Sequence, residues 1–238
     1  MENKSFSMGI RDGIPIAAGY FSVSFAFGIF ATGAGLTILE ALLISMFCVT
    51  SAGQLAAVPI IAGGGSFIEL ALSQLIINLR YSLMSVSLSQ KLGKSVRFSD
   101  RFLISFVNTD EVFAVAMGKE TMVGRKYMFG LILTPYLGWA FGTLVGAIAG
   151  NILPAIVVSA LGIAIYGMFI AIVTPFARSG KVGILCVLCA IALSCLFYYL
   201  PLLSRIPSGF VIIIVTVIVS TFFALVAPIK EEEEAENE

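Results

Sequence analysis

FIELALSQLIINLRYSLMSVSLSQKL, Phe67 to Leu92, is the stretch whose reading decides the fold. It is long and apolar enough to cross a bilayer, which takes about 20 helical residues. Yet Asn78, Arg80 and Tyr81 stand near its middle. An arginine at that depth costs about 2.5–3.5 kcal/mol on insertion scales, so such a residue faces a partner or a watery cavity. Helical spacing gathers Gln74, Asn78, Tyr81, Ser85 and Ser89 into one polar stripe, and Glu69, Ser73, Arg80 and Ser87 into another. Two such stripes leave little surface for lipid. The expectation is a helix at the centre of a bundle.

The rest of the chain agrees with a membrane setting. Of its 238 residues 59% are hydrophobic and 12% charged, with a mean hydropathy of +1.03. Soluble domains carry about 25% charged residues, so the expected class is an all-α polytopic membrane protein. Residues 1–230 read as a single integral membrane domain, and the run EEEEAENE at 231–238 as a disordered, cytoplasmic acidic tail. Cys48, Cys186, Cys189 and Cys195 all lie in apolar runs and read as packing residues. Histidine is absent, which excludes Ser–His catalysis and His-ligated metals. No nucleophile elbow, Walker A or dinucleotide fingerprint occurs, so neither an enzyme, a cofactor nor a nucleic-acid partner is expected.

Outward from the central stretch, Ile14–Phe30 reads as an uncleaved first span. Leu36–Ala62 is apolar but interrupted at Thr50-Ser51-Ala52-Gly53-Gln54, and Arg101–Gly118 is short with Asn108-Thr109-Asp110-Glu111 at its centre. Further spans are expected at Tyr127–Ile148, Ala155–Phe176, Val182–Leu202 and Ser208–Pro228. Lysine and arginine cluster at residues 91–101, 119–126 and 178–181, whereas the loops near 31–36, 63–66 and 149–155 have none. The positive-inside rule makes the basic clusters cytoplasmic, and the C-terminus with them. Two consecutive basic clusters on one side make Arg101–Gly118 re-entrant. The N-terminal side stays open: a cytoplasmic N-terminus makes Leu36–Ala62 a second hairpin and gives six spans, an external one gives seven.

The polar interruptions are the candidate chemistry. If the helix unwinds at Ser51, Ala52, Gly53 and Gln54, the two half-helix ends can hold a carboxylate and an ammonium, as an amino acid presents. Asn78, Arg80 and Tyr81 join this candidate substrate site. Glu69 lies roughly 16 Å from Arg80 along the helix, so an acidic partner for Arg80 comes from another segment. Asp110 and Glu111 are the candidates, and a carboxylate shielded from water can take up a proton, which proton coupling requires. Gly138, Gly142 and Gly146, extended by Gly130, Thr134 and Gly150, form a ladder of small residues. It suits close packing of helices, either within the chain or with a separate membrane subunit.

The segments Gly13-Ile14-Pro15 with Gly19-Tyr20, Ser51-Ala52-Gly53-Gln54, Ile77-Asn78-Leu79-Arg80-Tyr81-Ser82 and Thr109-Asp110-Glu111 resemble those of the AzlC family. These are the large subunits of bacterial branched-chain amino acid exporters. The resemblance implies efflux of leucine, isoleucine or valine across the inner membrane, in company with a small four-helix AzlD-type membrane subunit. The residues themselves reach a carrier with broken segments and intramembrane charge. A non-transporting scaffold or a passive amino-acid channel is the alternative.

Overall fold

Apolar residues at helical spacing build almost the whole of the described chain, and polar or glycine-containing turns cut it into pieces. The computed structural model describes residues 2–3, 5–154, 156, 170, 173–174, 177–178 and 180–227. Its helices are α1 (Phe6–Gly33), α2 (Ile38–Phe47), α3 (Ser51–Ala62), α4 (Phe67–Lys91), α5 (Phe98–Phe106), α6 (Asp110–Met117), α7 (Arg125–Ile152), α8 (Lys181–Tyr199) and α9 (Ser208–Val226). Two short strands, β1 (Glu2–Asn3) and β2 (Met122–Val123), pair in parallel. The chain divides into two compact units, Met1–Met168 and Phe169–Glu238. The run Ala155–Phe176 falls almost wholly outside the described residues, as does the acidic tail.

Small residues set the centre of the first unit. Helices α1 and α7 run parallel in a constant register: Gly13 faces Thr134, Ala17 faces Gly138, Phe21 faces Gly142, Phe25 faces Gly146 and Ile29 faces Gly150. A methyl group at Gly142 or Gly146 would strike the carbonyl oxygen of Phe21 or Phe25. Backbones this close gain dispersion contacts along their whole length, which is what holds helices together once lipid removes the hydrophobic drive. The ladder is therefore taken up within the chain. The expectation that Gly138, Gly142 and Gly146 receive a separate subunit is corrected: that face is occupied by α1.

Helix α4 is also placed differently from the expectation. Ile68, Leu72, Leu75, Leu79, Leu83 and Val86 form an exposed apolar stripe, so α4 flanks the α1–α7 pair. Its polar stripe faces inward, onto α3 and the turn before α6, while Glu69 and Ser73 of the second stripe are buried. Polar residues on a helix demand partners rather than a central position, and two short hairpins supply them.

Those hairpins are opposed. Strand β1 pairs with β2, and Gly93 N–H donates to the Val123 carbonyl, so the N-terminus, the end of α4 and the start of α7 share one end. Asp12 binds Lys119 (2.7 Å) and the Tyr127 hydroxyl (2.7 Å) there, and Asp100 binds Arg125 (2.7 Å). This is the basic end. From the opposite end α2 descends along α7 until Ser45 meets Thr143 and the Tyr136 hydroxyl reaches the Met46 carbonyl; α3 then returns. Thr37 and Glu40 cap α2 reciprocally, and Ser66 caps α4 through Glu69 N–H, which starts both helices at that end. From the basic end α5 and α6 form the second hairpin, whose tip reaches Tyr20 and Arg80, midway along α1 and α4. A long helix followed by a hairpin thus occurs twice with opposite direction. The tips share a short pattern, Phe47-Cys48-Val49-Thr50 and Phe106-Val107-Asn108-Thr109.

In the second unit α8 and α9 pack antiparallel through Phe197, Val215 and Val219. Among the described helices, α1, α7, α8 and α9 are long and apolar enough to cross a membrane. Most of the apolar surface of α8 and α9 is exposed, which water would not tolerate and lipid does.

Candidate functional site

Each hairpin is interrupted where its tip meets the long helices. Helix α2 stops at Phe47 and α3 starts at Ser51, so the unwound residues are Cys48, Val49 and Thr50. The break was expected from Thr50 to Gln54. It lies earlier, and Ser51, Ala52, Gly53 and Gln54 form the first turn of α3. Thr50 has the extended backbone of a cap but makes no side-chain bond to that turn. In the other hairpin the break is Val107–Thr109, and the Thr109 hydroxyl accepts weakly from Val112 N–H at 3.5 Å.

The two breaks enclose a cavity of about 310 Å³, at the small end of the roughly 300–1,000 Å³ usual for ligand sites. Cys48, Thr50, Gln74, Asn78, Tyr81 and Asn108 line it, with Phe47 and Phe106 beside them. Gln74 fastens α4 to the α3 turn: its Nε2 donates to the Gly53 carbonyl at 2.8 Å. A Cβ at Gly53 would sit 2.7 Å from Gln74 Oε1, so a larger residue there would displace the Gln74 amide. Asn78 Nδ2 donates to the Gln74 carbonyl at 2.8 Å, which fixes its amide and turns Oδ1 the other way. Asn108 Nδ2 binds Ser85 Oγ at 3.2 Å. Among the described residues, Asn78 Oδ1 and Asn108 Oδ1 are buried carbonyl oxygens with no partner.

Charge lies next to this cavity. Arg80 pairs with Asp110 at 2.9 Å, the two side chains 54% and 46% exposed. The Arg80 guanidinium also donates to the Tyr81 hydroxyl at 2.9 Å and stacks 4.8 Å from its ring centroid. Glu111 accepts from the Tyr20 hydroxyl, and the Tyr20 ring packs edge-on against Trp139, 5.0 Å between centroids. Both acids of the second hairpin are thereby tied to the long helices, Asp110 to α4 and Glu111 to α1.

Asn78, Arg80, Tyr81, Asp110 and Glu111 are brought together around the tips. Gln54 is not among them. It is fully buried, and its Oε1 accepts from Ser45 Oγ (3.1 Å) and Trp139 Nε1 (3.2 Å), with Ser45 bound in turn to Thr143 (2.6 Å). Gln54 is a strut between hairpin and α7, so its place in the substrate set is corrected. Replacing it by leucine strands the Trp139 N–H, while Ser45 keeps Thr143, and should cost about 1–3 kcal/mol, read as a lowered melting temperature with the cavity side chains untouched.

Thr50, Asn108 and Tyr20 are cavity or acid partners that sequence reasoning left aside. The repeated Phe-x-x-Thr at the two tips is the signal that marks Thr50, and it places Asn108 one residue before the matching Thr109. A larger cleft of about 840 Å³ lies in the second unit, walled mainly by aliphatic residues such as Val173, Ile184, Val187 and Ile191. Thr174, Arg178 and Lys181 are the polar side chains among its described lining residues.

Comparison with known proteins follows the same region. A family model described as AzlC protein matches residues 15–153, which contain both hairpins. The chain is similar to the inner membrane protein YgaZ of Escherichia coli K12, 32% identical over 151 residues, which are 62% of this chain and 62% of the relative. An uncharacterized membrane protein of Archaeoglobus fulgidus is 32% identical over 172 residues, 71% of this chain and 75% of the relative. One of Helicobacter pylori strain 26695 is 26% identical over 151 residues, 62% of this chain and 65% of the relative. The match thus spans less than two thirds of the Escherichia and Helicobacter relatives. No solved structure matches.

Proposed function

The chain belongs to the AzlC family, and from that premise and the cavity at the hairpin tips we propose that it is a secondary transporter that exports branched-chain amino acids. The observation that carries the reading is the meeting of two opposed broken hairpins midway along α1, α4 and α7. Non-helical backbone at mid-depth is tolerated where it is buried in protein or lines a wet cavity, and carriers place substrate at such breaks. Ser51, Ala52 and Gly53 lie at the positive end of α3, next to the cavity, and suit a carboxylate. Asn78 and Tyr81 supply side-chain contacts, and Phe47 and Phe106 suit an aliphatic side chain.

Arg80 has a different role in this proposal from a direct substrate ligand. Its charge is engaged by Asp110, so the pair acts as a gate between α4 and the second hairpin. Protonation of Asp110 or Glu111 releases that hairpin from α4 or α1, which couples its movement to the proton gradient. The positive-inside rule supports a cytoplasmic basic end, and the reading takes the membrane to be a bacterial inner membrane. Among the described residues α1, α4, α7, α8 and α9 are the proposed crossings and the two hairpins are re-entrant, and the positive-inside rule favours a cytoplasmic C-terminus. Residues 1–230 act as one integral membrane domain. A small AzlD-type subunit docks away from the glycine ladder.

Leucine efflux from preloaded vesicles carrying the chain tests the proposal. Efflux should exceed that of protein-free vesicles, rise under an opposing proton gradient, and be slowed by valine and isoleucine. Flux indifferent to the gradient assigns a passive channel. No flux, with the chain and its subunit both present, assigns a scaffold.

A further inference from the structure

Two features of the cavity call for a hydrogen-bond donor. Asn108 is 97% buried by its 3% exposure, lines the cavity, and keeps an unpartnered carbonyl oxygen. Asn78 lines the same cavity, and its Oδ1 is likewise unpartnered while its amide nitrogen is committed to the Gln74 carbonyl. Buried acceptors are almost always satisfied, so a pair left open at a cavity marks where a ligand donates. The two residues come from different elements, α4 and the second hairpin, and converge only in the folded chain.

The surroundings favour a cation as the donor. The α2 helix ends at the cavity, and its last carbonyls carry the negative end of the helix dipole. Arg80, the nearby cation, is neutralised by Asp110, and Glu111 adds a further formal negative charge. An ammonium has three donors and no acceptor. A carboxylate or a keto group has only acceptors and would meet the asparagine oxygens with lone pairs against lone pairs.

We infer that Asn78 Oδ1 and Asn108 Oδ1 form the ammonium-binding half of the cavity and make it selective for primary amines over their keto analogues. The inference rests on the cavity being the substrate site, though not on leucine being the cargo. It also fixes the orientation of a zwitterion. The amino group points to the second hairpin and α4, and the carboxylate to the start of α3, so the ligand bridges the two tips.

Binding of two half-ligands to the purified full-length chain tests this by calorimetry. 3-Methylbutylamine carries the ammonium without the carboxylate, and 4-methylpentanoate the reverse. The amine should bind the native chain, and Asn108→Leu should weaken it about tenfold or more, the loss of one charge-assisted hydrogen bond. Binding of the acid should persist in that variant, which also reports that the variant is folded. Asn108→Asp exchanges the donor to Ser85 for an acceptor, to which the Ser85 hydroxyl can donate in turn, and adds a negative charge, so it should tighten the amine. Amine affinity that is the same in all three proteins, or no amine binding to the native chain, overturns the inference. If the amine behaves as expected and leucine efflux is absent, the ammonium site stands and the proposed transport of leucine falls.

Discussion

Gly146→Leu should leave no folded protein. A side chain there begins inside the Phe25 carbonyl group, and both clashing partners are helix backbone. Overpacking typically costs about 1–3 kcal/mol when side chains can rearrange. Here neither backbone can yield without separating α1 from α7 along their length, so the cost approaches the whole stability of about 5–15 kcal/mol. Accumulation in membranes and a monodisperse peak on size exclusion after extraction are the readouts. Gly138→Ala gives a milder defect, since its Cβ meets Ala17 O at 2.7 Å. Gly19→Ala has nothing within 4 Å and should stabilise α1 by about 0.5–1 kcal/mol. A Gly146→Leu protein that melts like the native chain would mean that the α1–α7 register is wrong.

Asp110→Asn should abolish most transport without unfolding the chain. The Arg80–Asp110 pair is about half exposed on each side, and exposed pairs contribute about 0–1 kcal/mol. Its removal therefore shifts the melting temperature little. Its effect on movement of the hairpin is larger, because Asp110 is the titratable link between the α6 start and α4. A coupling free energy of ordinary size shifts the equilibrium between held and released hairpin about 5- to 150-fold. Exchanging the pair, Arg80→Asp with Asp110→Arg, restores the contact but moves the acid off the hairpin, so flux stays low. Efflux of the asparagine variant at the native rate would remove the gate.

The opposed hairpins give these local effects their reach. Each tip is held to α1, α4 or α7 by few side chains, Ser45, Gln54 and Gln74 for the first and Asn108, Asp110 and Glu111 for the second. The first set is neutral and mostly buried. The second includes two carboxylates, with Asp110 partly open to water. On the proposed mechanism, that difference makes the second hairpin the element a proton releases and the first the fixed wall.

Apolar runs with charges confined between them were enough to specify an all-α membrane protein, and polar residues inside Leu36–Ala62 and Arg101–Gly118 were enough to mark both broken segments. Backbone groups in lipid must be satisfied locally, so a helix break leaves a compositional trace. The polar stripe of α4 was readable for the same reason. Its position was not, because a polar stripe states that a partner exists and leaves open which element provides it. The tertiary structure decided that the partners are two hairpin tips, that α1 and α7 hold the centre, and that the glycine ladder is used between them. It moved the first break to Cys48–Thr50 and turned Gln54 into a strut. It also joined Asn78 to Asn108, 30 residues apart in the chain. Helical periodicity fixes which face a residue shares with its own helix. Which face meets which is set by close packing between helices distant in sequence, and no local pattern encodes that.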